Sequence, residues 1–566
     1  MSVLQRFFEE SAQALSKASG VKVNAADLSV PPNAELGDAS SAVCFELAKK
    51  DKKNPVELAK QLAAKIKPTG LIARVEAKGP YVNFFVNQAK LAEAVLKEGT
   101  KKGYGASGEG KGRVVVLDYS STNVAKPMHV GHLRSTIIGQ SVRNILEFQG
   151  YKTIGVNYLG DWGFQFGKLI TAFEKWGSEK ELKKDPISYL VALYVRFHKE
   201  AKTKPELEEQ AREWVVKLEK RDKQAMKYWK EFRDLSIKKF EDTYKLLGVK
   251  FDVYSGESEY ALSDKTSEVI KEAQDKKIAF QEAPGTIVVP LEVHGINNAR
   301  LLDNGATLYF TRDIAAAKDR YKRWKFAKSL YVVSSQQDLH FKQLFKTLEL
   351  LGYAWAKDCA HVNFGYLNLP EGKMSTREGN FVLLGDLLET AVKKAEKIIE
   401  QKNPGLKNKR AAAEMVGVGA VVFADLSQNR VKDVTFEWDK ALSFEGDTGP
   451  YLQYAFVRCN GIIDAVGKTG KPRADSLVNP EELTLTKKLA EFPKAVDAAD
   501  LKYEPHVIAT YLLALARAFS AFYEKCPVAK EENPGLKAAR LELVKATRNV
   551  LETGLGLLNI KAPREM

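Results

Sequence analysis

No segment restricts the fold of this chain more than residues 113–158. The apolar run Val114-Val115-Val116-Leu117 leads into a turn containing Pro127 and the sequence His129-Val130-Gly131-His132. Over about 130–148, Leu133, Ile137, Ile138, Val142, Ile145 and Leu146 recur at the spacing of one helical face, and Gly150 is placed to close the helix. Thr153-Ile154-Gly155-Val156-Asn157-Tyr158 follows as a second strand. Strand, helix and strand at this spacing predict half of a doubly wound, Rossmann-like parallel sheet, whose ligands sit beyond the carboxyl ends of the strands.

At 566 residues the chain exceeds what one hydrophobic core supports, and its patterns divide it in three. Residues 1–105 read as an N-terminal α+β module. Its helices are expected near 2–17, 37–49, 56–66 and 88–97, with an alternating strand at Tyr81-Val82-Asn83-Phe84-Phe85-Val86 and a Gly/Lys-rich linker over 97–112. Residues 106–405 hold the parallel-sheet core, interrupted at about 172–250 by a charged helical insertion. The sheet resumes with a strand at Thr307-Leu308-Tyr309-Phe310-Thr311, a helix over 314–323 and a strand at Ser329-Leu330-Tyr331-Val332-Val333. From 406 to 566 the periodicity is helical, near 408–427, 451–466, 484–499, 504–525 and 537–555, which predicts a C-terminal all-helical bundle. The expected fold is therefore multidomain α/β.

Cys44, Cys359, Cys459 and Cys526 lie far apart and form no CxxC pair. That argues against a disulfide scaffold or a cysteine-rich zinc site and fits a reducing, cytoplasmic compartment. The opening MSVLQRFFEESAQALSKAS mixes acids with apolar residues and lacks the form of a secretory signal. No run of 18 apolar residues is present, so no membrane segment is expected. A formal charge of +15 is compatible with a polyanionic partner, and no coiled-coil repeat opposes a monomer.

The two histidines stand three apart at a predicted helix start, where imidazoles and exposed backbone N–H groups can meet phosphate. Gly131 between them permits close approach of adenine or ribose. A metal at this pair needs at least one further ligand, and an incidental structural pair is the remaining reading. Far downstream, Lys373 and Arg377 lie in the Gly-flanked segment Glu371-Gly372-Lys373-Met374-Ser375-Thr376-Arg377-Glu378-Gly379. It reads as a loop able to bring positive charge over a triphosphate, a plain surface loop being the alternative. Lys126, three residues before His129, is another candidate phosphate donor. Such donors, without a nucleophile elbow, a Walker A motif or a dinucleotide GxGxxG, suit condensation of a carboxylate with ATP. Asp118 closes the first strand and Asp313 follows Tyr309 by one helical turn; either also fits a helix cap. If the recognised side chain is a guanidinium, these carboxylates pair with it bidentately, with Asn123, Tyr309 and Gln337 adding polar contacts.

HVGH together with KMSTR resembles the two signatures of the class I aminoacyl-tRNA synthetases. NVAKPMHVGHLRSTIIG (123–139), NYLGDWGFQFGKLI (157–170), YFTRDIAAAKDR (309–320), SSQQDLH (334–340), HVNFG (361–365) and FADLSQNR (423–430) are similar to the arginyl-tRNA synthetase family. The likeness runs on to the closing GLGLLNIKAPREM (554–566). It implies activation of L-arginine with ATP, carrying Mg²⁺, then transfer of arginyl to the terminal adenosine of tRNA(Arg), with no structural zinc. It implies that His129, Gly131, His132, Lys373 and Met374 hold ATP. Arginine would be held by Asp118, Asn123, Glu257, Tyr309, Asp313 and Gln337, with Asp118 and Asp313 paired around the guanidinium. The second signature departs from the class form KMSKS, since Thr376 stands where a second lysine is usual. The leaving pyrophosphate is thus left to Lys126, Lys373 or Arg377, with Lys126 the first choice. The N-terminal module would meet the tRNA elbow through Asn83 and Phe85, unless the ring is sheet core. The bundle would read the anticodon through Tyr451, Tyr454 and Arg458, unless these form an ordinary packed face. A different HxGH nucleotidyl transferase and a noncatalytic tRNA-binding relative fit parts of the pattern. The order of the longer motifs opposes the first, and the joint presence of His129, His132, Tyr309 and Asp313 opposes the second.

Overall fold

The computed structural model describes residues 1–368 and 383–566. Its central sheet has five parallel strands: β1 (Val114–Asp118), β2 (Lys152–Leu159), β3 (Val253–Gly256), β4 (Lys328–Tyr331) and β5 (Cys359–His361). Their spatial order is β5-β4-β1-β2-β3, so the winding reverses between β1 and β4 and a crevice opens at their carboxyl ends. Three helices serve that crevice: α1 (Gly131–Phe148), α2 (Glu257–Ala261) and α3 (Tyr309–Trp324). Side chains of β1 alternate between two covered faces. Val115 and Leu117 join the core that holds Leu133, Ile137 and Ile138 of α1, while Val116 joins Val156, Ile314 and Ala317 on the other side. The expected strand–helix–strand unit is thus present as β1–α1–β2. Arg134, Gln140 and Ser141 of α1 are buried as well, because the C-terminal helices cover its second face.

Four stretches differ from expectation. An antiparallel sheet, Phe280–Ala283, Thr286–Val289, Ala299–Asp303 and Ala306–Thr307, precedes α3 and carried no recognised sequence signal. The predicted strand at 307–311 is instead the end of that sheet and the first turn of α3. Its aromatic and β-branched residues favour strands, but Phe310 is buried and the Thr311 hydroxyl donates to the Leu301 carbonyl, which folds the run back as helix. The predicted helix 37–49 begins as the strand Ala39–Ser41, because the Asp38 carboxylate accepts the Val86 N–H at 2.9 Å and draws the chain along the sheet. The inserted helices start at Phe164 and end with the long helix Lys223–Leu247.

The expected linker is fastened to the bundle. Tyr104 donates to the Leu489 carbonyl at 3.0 Å and Asn549 to the Gly99 carbonyl at 2.8 Å, while in the module ahead of the linker Asp38 pairs with Lys487 at 2.5 Å. Beyond α4 (Asp338–Leu350), the C-terminal helices are α5 (Leu384–Lys402), α6 (Lys409–Leu426), α7 (Gly449–Val466), α8 (Pro480–Lys502), α9 (Pro505–Lys525) and α10 (Pro534–Leu557). By length and composition alone α9 is long and apolar enough to cross a membrane, a test that the core helix of a bundle also passes. Half of that stretch is buried here, with Ile508, Leu512, Leu515 and Phe519 fully covered in the bundle.

Candidate active site

The loop from β1 to α1 is strained. Ser120, Ser121 and Ala125 hold φ values of 70, 47 and 60°, in a region that disfavours side chains. Several hydrogen bonds hold them there. The Ser120 N–H donates to Ser135 Oγ at 2.9 Å, the Ala125 N–H donates to Ser236 Oγ at 3.1 Å, and Tyr244 Oη lies 2.7 Å from Ser120 Oγ. Ser236 and Tyr244 belong to the helix Lys223–Leu247, so the insertion braces the loop that carries the histidines.

His129 and His132 lie with ring centroids 4.1 Å apart. His129 Nδ1 accepts the Gly131 N–H at 3.1 Å, and His132 Nδ1 accepts the His129 N–H at 3.2 Å. Those bonds place both ring protons on Nε2. Burial, then the neighbouring His129, push His132 down to about 3, and burial with the Lys126 charge lowers His129. Both rings are therefore neutral N–H donors near pH 7. A Cβ at Gly131 would lie 2.8 Å from the His129 ring, so glycine makes room for that imidazole. One expectation changes here. The amides of Gly131, His132 and Leu133 are spent inside the turn, on His129 Nδ1, His129 O and Val130 O, so the imidazoles replace the backbone as donors. Lys126 stands close enough for its charge to act on both rings, and its ammonium lies 6.0 Å from the Tyr194 ring. Lys373, Met374 and Arg377 lie outside the described residues. Leu383 bridges His129, and the Leu384 N–H donates to Met128 O at 2.9 Å.

A second cluster forms at the ends of β2, α2 and α3. Asp313 meets His340 Nε2 at 2.7 Å, and the exposed ring of Tyr309 lies 5.0 Å from that imidazole. Glu257 opens α2 and accepts from Arg312 at 2.6 Å. Burial raises the Glu257 carboxyl to about 7, with Arg312 opposing and Asp313 and Asp161 adding to the rise. The Tyr158 hydroxyl is buried without a hydrogen-bond partner among the described residues, and burial followed by the charges of Asp313 and Glu257 raises it well above the usual tyrosine range. Asn123 is exposed and bridges Gly160, and Gln337 ends the turn Ser335–Gln337 ahead of α4.

Asp118 is a correction. It does not pair with Asp313 around an open site; its Oδ2 takes the chain's own Arg320 at 2.7 Å and its Oδ1 accepts from Ser121 at 2.8 Å. Arg320 lies seven residues after Asp313 on α3, a helical repeat that could have flagged it. Tyr158 and His340 also went unnoticed, although both sit inside motifs quoted above.

Of the residues expected to meet RNA, Asn83 is 4% exposed, although Tyr81 on the same face of its strand is exposed. Phe85 is half-buried beneath the Arg74 guanidinium, 3.7 Å from the ring centroid. Tyr451, Tyr454 and Arg458 line a cavity of ≈ 570 Å³ with Lys402 and the terminal Met566. Arg458 lies over the rings of Tyr454 and Tyr523, at 4.8 and 4.6 Å. Among the described residues no three of His, Cys, Asp and Glu are grouped to hold a metal.

The geometry can be set beside known proteins. Residues 92–438 match the model of the class I (R) tRNA synthetase catalytic domain, 452–566 the DALR anticodon binding domain, and 7–86 the arginyl tRNA synthetase N-terminal domain. The arginine–tRNA ligase of Halothermothrix orenii is 45% identical over 544 residues, covering 95% of each chain. That of Clostridioides difficile is 46% identical over 544 residues, with the same coverage. The solved arginyl-tRNA synthetase of Thermus thermophilus superposes with a TM-score of 0.84 at 27% identity, covering 100% of both chains. The chain belongs to the arginyl-tRNA synthetase family of class I aminoacyl-tRNA synthetases.

Proposed function

We propose how this chain, an ATP-dependent arginine–tRNA ligase, divides its reaction among its residues. In the first step the arginine carboxylate attacks the α-phosphate of ATP and pyrophosphate leaves. No side-chain nucleophile is needed; what accelerates the step is donors fixed where negative charge grows. The Nε2–H groups of His129 and His132 supply two of them, held in one tautomer by the turn. Lys126 meets the leaving pyrophosphate, with Lys373, Met374 and Arg377 as further nucleotide contacts. Mg²⁺ would arrive on the phosphates, with oxygen ligands from the triphosphate and water. In the second step a ribose hydroxyl of the terminal adenosine attacks the activated carbonyl and AMP leaves.

Arginine selection falls to Asp313 and Glu257, two carboxylates that influence each other beside the buried Tyr158 hydroxyl. This juxtaposition is the observation that carries the reading, because a planar guanidinium offers donors to both. Tyr309, Gln337 and Asn123 complete the contacts. Phe85 with Arg74 would meet the tRNA elbow, and Tyr451, Tyr454 and Arg458 would take an unstacked anticodon base. The chain works as a cytoplasmic monomer in this proposal. Arginine-dependent ATP–pyrophosphate exchange, with tRNA present, tests the pocket. Asp313→Ala should abolish exchange while ATP still binds; unchanged exchange would overturn the assignment.

A further inference from the structure

Arg312 is next in sequence to Asp313 and in direct contact with Glu257. Its Nη1 donates to Glu257 Oε2 at 2.6 Å and its Nη2 to the Thr307 carbonyl at 3.1 Å, while its Nε is buried without a partner among the described residues. The side chain is 15% exposed and pinned at two points, so its charge cannot swing away without losing both. Only one oxygen of Glu257 is engaged; Oε1 makes no hydrogen bond among the described residues.

The charges around Glu257 can be counted element by element. From α3 come Arg312 and Asp313, the latter held by the His340 ring on α4. From the loop after β2 comes Asp161, paired with Arg233 at 2.9 Å and accepting two bonds from Ser258. From β2 comes Tyr158, with the Arg320 guanidinium 5.3 Å from its ring. Arg320 is met by Asp118, so among the described residues Glu257, Asp313 and Asp161 stand against Arg312 and Arg233, an excess of one negative charge. One incoming guanidinium cancels it. Without Arg312 the excess doubles, and in a site this buried the cheaper compensation is a proton on Glu257.

We propose that Arg312 is a positioning residue for arginine recognition, holding Glu257 as a carboxylate with its second oxygen left for the substrate guanidinium. This rests on the assignment of Glu257 and Asp313 to arginine. Burial already places the Glu257 carboxyl at about 7 with Arg312 present, so loss of that cation moves proton uptake higher.

The test is calorimetric titration of the full chain with L-arginine from pH 6 to 8.5. In the parent, affinity should rise about tenfold between pH 6 and 8 as Glu257 gives up its proton. Arg312→Met should bind about tenfold more weakly at pH 7, with the deficit shrinking toward pH 8.5. Arg312→Lys, which keeps the charge, should restore the parental pH course. In a Glu257→Gln background Arg312→Met should leave the pH course unaltered. Should Arg312→Met fail to fold, Arg312→Gln, uncharged but polar, serves the same comparison. Uniform weakening at every pH, or the same pH-dependent deficit in the Glu257→Gln background, would overturn the role of Arg312 alone. A parent that binds no arginine at any pH would overturn the pocket assignment with it.

Discussion

Asp118→Asn should damage stability far more than arginine binding. Asp118 and Arg320 are 5% and 4% exposed and meet at 2.7 Å. Asparagine matches aspartate in volume, so no cavity opens, but Arg320 is left buried without its counter-charge. Breaking a buried pair from one side typically costs about 3–5 kcal/mol. The rings of Tyr158 and Tyr331, each 5.3 Å from the guanidinium, still face Arg320. They place the loss near the lower end, roughly 3 kcal/mol. At about 2–4 °C per kcal/mol, scanning calorimetry should show the melting of this unit fall by roughly 6–12 °C. Arginine affinity, read by titration calorimetry below that transition, should stay within about threefold, because both Asp118 oxygens are committed to Arg320 and Ser121. Asp118→Leu with Arg320→Met should recover most of the stability, since an apolar replacement of both partners is close to neutral. Unchanged melting with arginine bound tenfold or more weakly would refute this reasoning and return Asp118 to the substrate.

Three further outcomes are expected. Lys126→Ala should slow single-turnover adenylate formation by roughly 10²-fold and leave tRNA affinity nearly intact; equal rates for variant and parent would exclude its role at the phosphates. His132 sits near 3 when folded against about 6.5 when unfolded, so the unfolded chain binds more protons between those values. Its share of stability is therefore full above pH 6.5 and declines as the pH falls toward 3. Urea midpoints should lose less on acidification in a folded His132→Gln variant than in the parent, and an equal loss would contradict the neutral imidazole. Arg458→Ala should reduce the salt dependence of tRNA binding by about 0.7–0.9 in log–log slope, whereas Tyr454→Ala should weaken binding with little change of slope. A flat slope change in both would remove this cavity from the RNA interface.

What was legible in the sequence is what local periodicity encodes. β1, α1, β2 and the C-terminal helices announce themselves because their apolar residues recur at one spacing for several turns or pleats. The histidine pair was legible for the same reason, since both residues share one turn. Pairings between distant elements were not. Asp118 and Arg320 are 202 residues apart, and nothing near either residue says that α3 crosses the end of β1. Tyr309 looked like strand by composition, and only the burial of Phe310 and the Thr311 bond to Leu301 make it helix. The spent amides at the start of α1 likewise depend on how the His129 ring turns back over Gly131. Asn83 follows one buried residue and precedes another, which no alternating pattern predicts.

The most direct test of the central claim is aminoacylation of total tRNA by the purified chain, offered each amino acid separately with ATP and Mg²⁺. The account predicts charging with arginine and with no other amino acid. Charging with a different amino acid would contradict the Asp313 and Glu257 pocket, and tight tRNA binding without any charging would contradict the adenylate chemistry assigned to His129, His132 and Lys126.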